Sequence, residues 1–438
     1  MQMHRSPEQL GILLSSFPNP QRAEAHTVAY VSTYPPRACG IATFTRDLSD
    51  AIRQSQQNLG TAIMAITEED ILDAPVYPAQ VRWTIDQHDP HSWQRAAEQL
   101  NTAAVDLVCI QHEFGLYGRF NPDGHFSDYL AGFLERIAKP VVTTLHTVIP
   151  QPPPDLRDAI RLLHARSAAV VTMVHQAHRI LTQDYGLNAS TLHTIPHGVP
   201  EAPWVPPERA KKVVGLDGHT ILSTFGLLSQ GKGIEYAIRA LPEVLQRHPD
   251  VLYLVLGATH PEIRRVEGER YRQMLLDLVE ELHLGQAVRF VNRYLTQQEV
   301  VRYLQATDIY LTPYCHPNQI TSGTLAYALG CGKVAVSTPY LYAVEALSEG
   351  RGVLAEFENP ASFTRCINRL LENPSERWQC ERRALIYGLR MGWSDVGTQY
   401  ARLFGQVAGW PRSVRPSELF SPSERQVMPM QTQPAMVE

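Results

Sequence analysis

The sequence has few cysteines and little net charge, and both features exclude whole classes of protein. Its six cysteines among 438 residues form no C-x-x-C pair, which excludes a disulfide-stabilised scaffold and indicates reduced thiols in the cytoplasm. The 39 Lys and Arg residues are offset by 44 Asp and Glu residues, which leaves a net charge of −5. Without an excess of positive charge, nucleic acid is not an expected partner.

Long apolar runs are also lacking. Near the start of the chain the apolar segment GILL is too short for the core of a signal peptide, so we expect a cytoplasmic protein. Residues 309–332 form an uncharged stretch that is long enough to cross a bilayer, but it contains two prolines and several polar side chains. We therefore interpret it as a polar segment of a functional site and not as a membrane helix.

The chain does contain a regular alternation of short β-branched runs with longer segments of helical period, which is typical of β–α units. In the first half these runs cover residues 27–33, 104–110, 141–146, 169–174 and 191–196. After a linker with three prolines at 201–212, further runs cover residues 220–228, 250–258, 288–294, 308–314 and 333–339. Continuous apolar strands indicate parallel sheets covered by helices on both faces. The predicted fold is α/β, with two doubly wound Rossmann-like domains that face each other across a cleft.

A helix is predicted directly after the first strand. Apolar side chains recur at i, i+4, i+7 and i+8 between positions 44 and 52, whereas Arg46, Asp47 and Arg53 lie on the other face. Gly40 precedes this helix in the segment STYPPRACGIATF, which forms a glycine-containing turn that faces the cleft. The segment contains no G-x-G-x-x-G, so the fingerprint of dinucleotide-binding loops is absent.

Ligands of parallel sheets bind beyond the carboxyl ends of the strands, so the candidate site residues are those that follow the apolar runs. After the run 308–314, Ser322 is the expected N-cap of a helix that starts at the cleft. The backbone N–H groups of Thr321, Ser322, Gly323 and Thr324 would then offer a diphosphate the positive end of the helix dipole. An ordinary capped helix is the alternative interpretation.

A second phosphate-binding candidate is the loop SQGKG at residues 229–233, which follows the run 220–228. Lys232 in this loop would place a point charge on the same phosphates. A surface turn with a solvated lysine is the alternative, and the phosphate-binding hypothesis gains its support from the expected position of the loop beside the predicted helix start.

Histidines follow three runs of the first half, where side chains face the cleft. His146 ends the run 141–146 and is a candidate for hydrogen bonding or acid/base chemistry, although a single histidine at a strand end can also be purely structural. His112 with Glu113, and His197, follow two further runs. The histidines lack zinc-ligand spacing on a helix with a supporting carboxylate, so we predict no metal.

Several segments taken together resemble one family. In the second half these are FGLLSQGKGIEYAIRAL, LGATH, VRFVNRYL, DIYLTPY and TSGTLAYALGCGKVAVSTPY, and in the first half they are STYPPRACGIATFTRDL, QHEFGLYG, TLHTV and IPHGV. They look like the donor and acceptor halves, respectively, of retaining glycosyltransferases with the GT-B fold. That group comprises bacterial mannosyl- and glucosyltransferases related to sucrose and glycogen synthases, and the resemblance covers about residues 27–408.

The resemblance implies transfer of a sugar from a nucleotide-diphosphate donor with retained anomeric configuration and without a metal or other cofactor. Carried over to this chain, Lys232 and the amides at 321–324 would hold the diphosphate and stabilise its charge as it departs. Gly40 would approach the diphosphate from the first domain, and His146 would contact the donor sugar.

Some positions depart from the family pattern. The family usually has an Arg after the glycine of the first donor strand, and here Gly226 is followed by Leu227. The family's Glu-x7-Glu pair, whose second Glu grips the ribose, aligns with Gln319 and Tyr327. Gln319 can still hydrogen-bond a sugar hydroxyl or a phosphate. The Tyr327 phenol can replace one hydrogen bond to the ribose, but not the bidentate hydrogen bonding of a carboxylate.

The predicted organisation has two domains and a returning helix. An acceptor-side domain covers 26–205, a nucleotide-sugar-binding domain covers 206–388, and a helix at 389–410 crosses back to the first domain. The ends at 1–25 and 411–438 are expected to be loose.

The expected partners are a nucleotide sugar, with mannose or glucose as the hexose, and a glycan or lipid-linked acceptor. Candidate residues on the acceptor side are Arg37, His112, Glu113 and His197, and peripheral membrane contact of the first domain stays open. One alternative is a catalytically silent relative that binds a nucleotide sugar or glycan, motivated by the missing carboxylates and Arg. Another is a phosphorylase of the same fold that uses a sugar 1-phosphate.

Overall fold

The computed structural model describes residues 26–56, 58–68 and 76–410 of the chain. Its strands are β1 (His26–Ser32), β2 (Leu59–Thr67), β3 (Val81–Asp86), β4 (Leu107–His112), β5 (Gly118–Phe120), β6 (Phe126–Asp128), β7 (Val141–Leu145), β8 (Ala169–Thr172), β9 (Leu192–Thr194), β10 (Thr220–Phe225), β11 (Val251–Leu256), β12 (Val288–Val291), β13 (Ile309–Thr312), β14 (Val334–Ser337) and β15 (Gly352–Leu354). Its α-helices are α1 (Gly40–Ser55), α2 (Pro90–Thr102), α3 (Phe114–Tyr117), α4 (Leu130–Arg136), α5 (Pro154–Arg166), α6 (His175–Gln183), α7 (Pro207–Val213), α8 (Ile234–Arg247), α9 (Pro261–Glu267), α10 (Arg270–Glu281), α11 (Gln297–Ala306), α12 (Gly323–Gly330), α13 (Leu341–Ala346), α14 (Pro360–Glu372), α15 (Pro374–Gly388) and α16 (Trp393–Ala408).

Most of the strands form two parallel sheets, one in each half of the described chain. The first has the order β3-β2-β1-β4-β7-β8-β9 and the second has the order β12-β11-β10-β13-β14-β15. In both sheets the chain starts in the middle, moves to one edge and then crosses to the other side, which is the doubly wound Rossmann order. β5 and β6 form a small antiparallel hairpin. The prediction of an α/β fold with two Rossmann-like domains is confirmed.

Continuous apolar strands explain why helices cover both faces of each sheet. All residues of β4 and of β11 are buried, and Tyr30 of β1 lies opposite Ile63 of β2 and Cys109 of β4. On one face of the first sheet, Phe44 and Leu48 of α1 pack into the same core as β1. Because successive side chains of a strand point to opposite faces, a continuous apolar run is stable only when both faces are covered.

The last helix, α16, packs against α1 of the first domain. A Cβ at Gly397 would lie 2.8 Å from the carbonyl carbon of Ala51, so the missing side chain lets the two helices approach closely. The hydroxyls of Tyr400 in α16 and Thr144 in β7 are 2.9 Å apart and share a hydrogen bond. The helix therefore connects the end of the second domain to the core of the first.

Some elements were not predicted from the sequence. These include β2, β3, β15 and the hairpin, while α7 occupies the second half of the predicted linker 201–212. Lys211 of α7 is buried and forms an ion pair of 2.6 Å with Asp308, so it is not a solvated linker residue. The uncharged stretch 309–332 forms β13, a loop and α12, and none of the described helices is long and apolar enough to cross a membrane.

Candidate active site

The loops after β10 and β11 form the first part of the candidate site. Gly226 and Gly257 follow these strands with φ angles of +135° and +138°, a region that favours glycine. A Cβ at Gly257 would lie 2.0 Å from Gly226 O, so the two loops pack backbone against backbone. A Cβ at Gly226 would in turn lie 3.3 Å from Thr324 Cγ2. The end of β10 is therefore held next to the start of α12.

Lys232 ends a 3-10 turn, Gln230–Lys232, that connects β10 to α8. Gly233 follows with a φ of +60°, and a Cβ there would lie 2.1 Å from Pro313 O, so this turn packs tightly against the loop after β13. Lys232 Nζ lies 3.9 Å from the ring centroid of Tyr314 in that loop, which is a cation–π contact. The lysine is thus held at the carboxyl ends of the central strands.

The same tyrosine, Tyr314, also contacts the start of α12. The hydroxyls of Tyr314 and Thr324 are 2.7 Å apart, so the ring that contacts Lys232 also contacts the first turn of the helix. Ser322 is the N-cap, and its Oγ accepts from Leu325 N at 3.3 Å. The backbone N–H groups of the first two helix residues have no acceptor in the described part of the chain. Two donors and the positive end of the helix therefore remain for a ligand.

His197 of the first domain lies against this helix start. A Cβ at Gly323 would lie 2.8 Å from His197 Nε2, so only glycine leaves room for the imidazole. Nδ1 lies 2.7 Å from Gly198 O, and since a carbonyl only accepts, Nδ1 carries the proton and Nε2 is the acceptor. Burial lowers the pKa of His197 to about 4. The structure thus places this residue, which we predicted on the acceptor side, at the donor helix.

His146 follows β7 and packs edge-on against Phe44 of α1, whose ring also contacts His197 at 5.1 Å. Its Nε2 lies 3.0 Å from Gln111 Oε1, so Nε2 carries the proton and Nδ1 is an acceptor. Burial, together with His197 and His112, lowers the pKa of His146 to about 3. Near neutral pH the side chain is therefore an uncharged hydrogen-bonding group.

Gly40 is the first residue of α1 and is exposed, and apart from its own chain neighbours and helix backbone no described atom lies within 4 Å of the position that a Cβ would take there. One turn further along the helix, Thr43 Oγ1 lies 3.2 Å from Tyr294 OH in the loop after β12. The start of α1 therefore borders the second domain, as the predicted contact between Gly40 and a diphosphate requires.

Two candidates for the acceptor side already have partners within the first domain. Arg37 forms an ion pair with Glu68 and donates to Gln87 Oε1 at 3.0 Å. The Glu113 carboxylate accepts from Thr147 Oγ1 at 2.5 Å, and burial raises the pKa of this carboxyl group. An acceptor would have to displace these partners in order to bind either side chain.

The third candidate, His112, belongs to the core. It is 2% exposed and its ring contacts the rings of Phe114 and Tyr117. Burial lowers the pKa of His112 to about 3, and its Nδ1 has no hydrogen-bond partner among the residues that the structure describes. The expectation that His112 faces an acceptor is therefore corrected, because the side chain points into the apolar interior.

Gln319 and Tyr327 are held by contacts of their own. Gln319 Nε2 donates to Thr321 O at 2.9 Å, which uses one of its two N–H donors and leaves the other and Oε1 for a ligand. The Tyr327 hydroxyl accepts from Gln297 Nε2 at 3.1 Å and donates to Asp47 Oδ2 at 3.4 Å. The phenol, which we expected to replace a ribose contact, is therefore engaged between the two domains.

Asp47 was predicted on the polar face of α1, yet it is only 9% exposed. Its carboxylate accepts from Gln297 Nε2 at 2.7 Å and pairs with Arg46 at 2.6 Å. Burial raises the pKa of this carboxyl group, against the lowering effect of the guanidinium. Asp47 and Gln297 are interface residues that the sequence analysis missed. A polar helix face has the same sequence pattern whether it meets water or another domain.

Glu345 of α13 also connects the domains. Its carboxylate oxygens accept from the backbone N–H groups of His175 at 2.9 Å and Gln176 at 2.8 Å, at the start of α6 in the first domain. A carboxylate at the N-terminus of a helix is stabilised by the helix dipole. The contact joins residues 170 positions apart, so no local sequence signal could have indicated it.

Comparison with known proteins shows a similarity that is concentrated in the second domain. Residues 208–385 match the family model described as glycosyl transferases group 1. The D-inositol 3-phosphate glycosyltransferase of Corynebacterium diphtheriae is 25% identical over 202 residues, which are 46% of each chain. The 2-deoxystreptamine glucosyltransferase of Streptomyces kanamyceticus is 25% identical over 260 residues, 55% of this chain and 57% of that one. The chain thus spans about half the length of these relatives.

Solved structures extend the similarity to both domains. Anabaena HepE in complex with UDP and glucose superimposes with a TM-score of 0.67 at 15% identity, over 87% of this chain and all of that chain. Sucrose-phosphate synthase from Thermosynechococcus elongatus gives a TM-score of 0.68 at 15% identity, over 88% of this chain and 99% of that chain. The chain has the GT-B fold, and residues 208–385 of its second domain are similar to the glycosyl transferases group 1.

Proposed function

We propose that this chain is a retaining glycosyltransferase. It moves a hexose, glucose or mannose, from a nucleotide-diphosphate sugar to a glycan or lipid-linked acceptor, without a metal ion or other cofactor. The names of two relatives, a D-inositol 3-phosphate glycosyltransferase and a 2-deoxystreptamine glucosyltransferase, support sugar transfer. The neighbouring structure with bound UDP and glucose supports a nucleotide-linked hexose as the donor.

One observation carries the proposal: Lys232 and the start of α12 both contact Tyr314, the lysine over its ring and Thr324 of the helix at its hydroxyl. They come from two loops that are about 90 positions apart in sequence, and both offer positive charge or N–H donors. The glycine at 226 keeps the same place free of a side chain. A lysine, a helix N-terminus and a glycine at the carboxyl ends of parallel strands suit a diphosphate.

This arrangement supports the chemistry of sugar transfer. When the bond between the anomeric carbon and the donor diphosphate breaks, negative charge develops on the leaving phosphate. The Lys232 ammonium and the free amides of α12 stabilise that charge, and they are in place before the reaction begins. His146 is neutral, and its Nδ1 accepts a hydrogen bond from a sugar hydroxyl, which orients the sugar without transferring a proton.

The test is a panel of nucleotide sugars that combines UDP, GDP and ADP with glucose and mannose. The full chain is assayed for release of nucleoside diphosphate, with and without oligosaccharide and polyprenyl-phosphate-linked acceptors, and the anomeric configuration of the product is read by NMR. We expect one donor to raise the melting temperature and to be turned over with retention in the presence of EDTA. Loss of turnover with EDTA would contradict metal independence, and inversion would contradict retention.

A second candidate function is a silent relative that binds a nucleotide sugar or a glycan. It is favoured by the contacts of Gln319 and Tyr327, which leave no carboxylate and no free phenol at two positions next to the donor helix. Thermal stabilisation by a donor without turnover on any acceptor would support this function and overturn transfer. Turnover that depends on inorganic phosphate would indicate a phosphorylase instead.

A further inference from the structure

A cavity lies between the two domains, and its lining residues differ from those of the diphosphate site. Its volume is about 810 Å³, within the range of small-molecule sites. The first domain contributes residues at and after the ends of β8 and β9, including Thr194, and the second domain contributes residues of α13 and α15 and of the turns that follow them. Neither Lys232 nor any residue of α12 lines this cavity. It is therefore not an extension of the diphosphate site.

Two arginines give the cavity positive charge. Arg383 of α15 and Arg390 of the following turn line the wall, and neither forms a hydrogen bond or an ion pair with a described residue. A third lining arginine, Arg351, has its hydrogen bonds filled by Glu349, by Ser348 and by backbone carbonyls. The first two guanidinium groups are thus available to a ligand, whereas the third supports the wall.

The backbone sets the position of one of these arginines. Gly350 has a φ of +71°, and a Cβ there would lie 2.3 Å from Arg383 Nη1. Any other residue at 350 would both strain the turn and displace the guanidinium. The turn after α13 is therefore built so that the Arg383 guanidinium can lie against it at the cavity wall.

The remaining lining includes apolar surface, from Pro196, Ile386 and the ring of Tyr387, and the hydroxyls of Thr194 and Ser348, which already have partners within the protein. Two carboxylates also line the cavity, and both have partners: Glu349 pairs with Arg351, and Glu345 accepts from the start of α6. A wall of this kind suits a sugar ring, which has apolar faces and polar edges. The planar guanidinium groups suit a phosphate, whose oxygens match the fork of an arginine.

We propose that this cavity binds a phosphorylated sugar, with the phosphate on Arg383 and Arg390 and the ring against Ile386 and Tyr387. The site goes beyond the proposed transferase function, because it shares no lining residue with the diphosphate site and its occupancy does not require turnover. A ligand there would contact both domains at once.

The experiment measures binding of glucose 6-phosphate to the full chain by isothermal titration calorimetry, with glucose and inorganic phosphate as separate probes. The tested variant is Arg383→Ala combined with Arg390→Ala. The matched control is Arg382→Ala, because Arg382 is an exposed arginine on the same helix that contacts the Trp378 ring and does not line the cavity. Lys232→Ala separates this site from the diphosphate site.

We expect glucose 6-phosphate to bind more tightly than either glucose or inorganic phosphate. The double variant should weaken its Kd more than tenfold, whereas Arg382→Ala and Lys232→Ala should leave it within twofold. Absence of glucose 6-phosphate binding would overturn the proposal, and so would binding that is lost in Lys232→Ala but kept in the double variant. Equal affinity for inorganic phosphate would overturn the sugar part. Since no result depends on turnover, failure of this site is distinguishable from failure of the proposed transferase.

Discussion

Replacing Lys232 by alanine tests the proposed diphosphate site, because the Lys232 ammonium supplies the formal positive charge of that site. The ammonium lies over the ring of Tyr314, whose hydroxyl contacts Thr324 at the start of α12, and the side chain is half-buried. Its removal leaves the two free amides of the helix in place. The variant should therefore still fold and still bind a nucleoside diphosphate, but more weakly.

The size of the loss follows from these contacts. A hydrogen bond from an ammonium to a charged acceptor contributes about 1.5–3 kcal/mol, and partial exposure to water places Lys232 in the lower half of that range. A loss of about 1.5–2 kcal/mol corresponds to a Kd that rises roughly 10- to 30-fold. The cation–π contact with Tyr314 is present without ligand as well, so its loss lowers the stability of the fold more than the binding affinity.

The assay is calorimetric titration with the nucleoside diphosphate that stabilises the wild-type protein most, at two salt concentrations. Lys212→Ala is the matched control, because Lys212 is an exposed lysine of α7 and its removal changes the net charge equally. We expect the control to bind like the wild type and Lys232→Ala to lose part of the salt dependence. An unchanged Kd in Lys232→Ala would refute the assignment of Lys232 to the site.

Three further predictions concern stability. The three buried histidines have pKa values of about 3 to 4 in the folded protein, below the ordinary value, so the stability present above about pH 6.5 should be lost as the pH falls towards 4. Urea unfolding at several pH values should show this loss. His112→Gln should reduce the slope of the unfolding free energy against pH by the equivalent of about one proton, and an unchanged slope would contradict the burial argument. Tyr327→Phe removes a hydroxyl that bonds across the domains and should lower the free energy of unfolding by about 1 kcal/mol, and a change near zero would mean that the contact is absent in solution. Glu345→Gln keeps the shape of the side chain but removes its negative charge at the start of α6. The free energy of unfolding should fall by about 0.5–1 kcal/mol at low salt and by less at high salt. A loss that does not depend on salt would argue against this electrostatic contact.

Much of the fold follows from local sequence pattern. Each predicted run with continuous apolar character, such as 104–110 or 250–258, corresponds to a buried central strand, because burial on both faces requires such a run. β3 was missed because polar residues interrupt its apolar pattern, and β15 was missed because it has only three residues. β2, LGTAIMAIT, was also missed, although its apolar pattern resembles that of the predicted runs.

The donor side of the site was predictable for a similar reason. Ser322 and Lys232 each follow an apolar run, and the carboxyl ends of neighbouring parallel strands meet at one edge of the sheet. Their approach to a common tyrosine follows from the strand order, in which β10 and β13 are neighbours. Tyr314 itself was not singled out, because an aromatic residue at a strand end has no distinct sequence signal.

Contacts between the domains were not predictable. Asp47 and Gln297 are polar residues on helix surfaces, and their burial depends on how the two domains face each other. The same holds for Glu345, whose carboxylate meets a helix start in the other domain. Local periodicity describes one element at a time, so it contains no information about which polar face becomes an interface.

The most direct test of the central claim is a crystal structure of the full chain with the nucleoside diphosphate that stabilises it most. We predict that oxygens of the terminal phosphate lie within hydrogen-bond distance of Lys232 Nζ and of the backbone N–H groups of Gly323 and Thr324. A diphosphate bound elsewhere, with these three donors contacting only protein or water, would contradict the account.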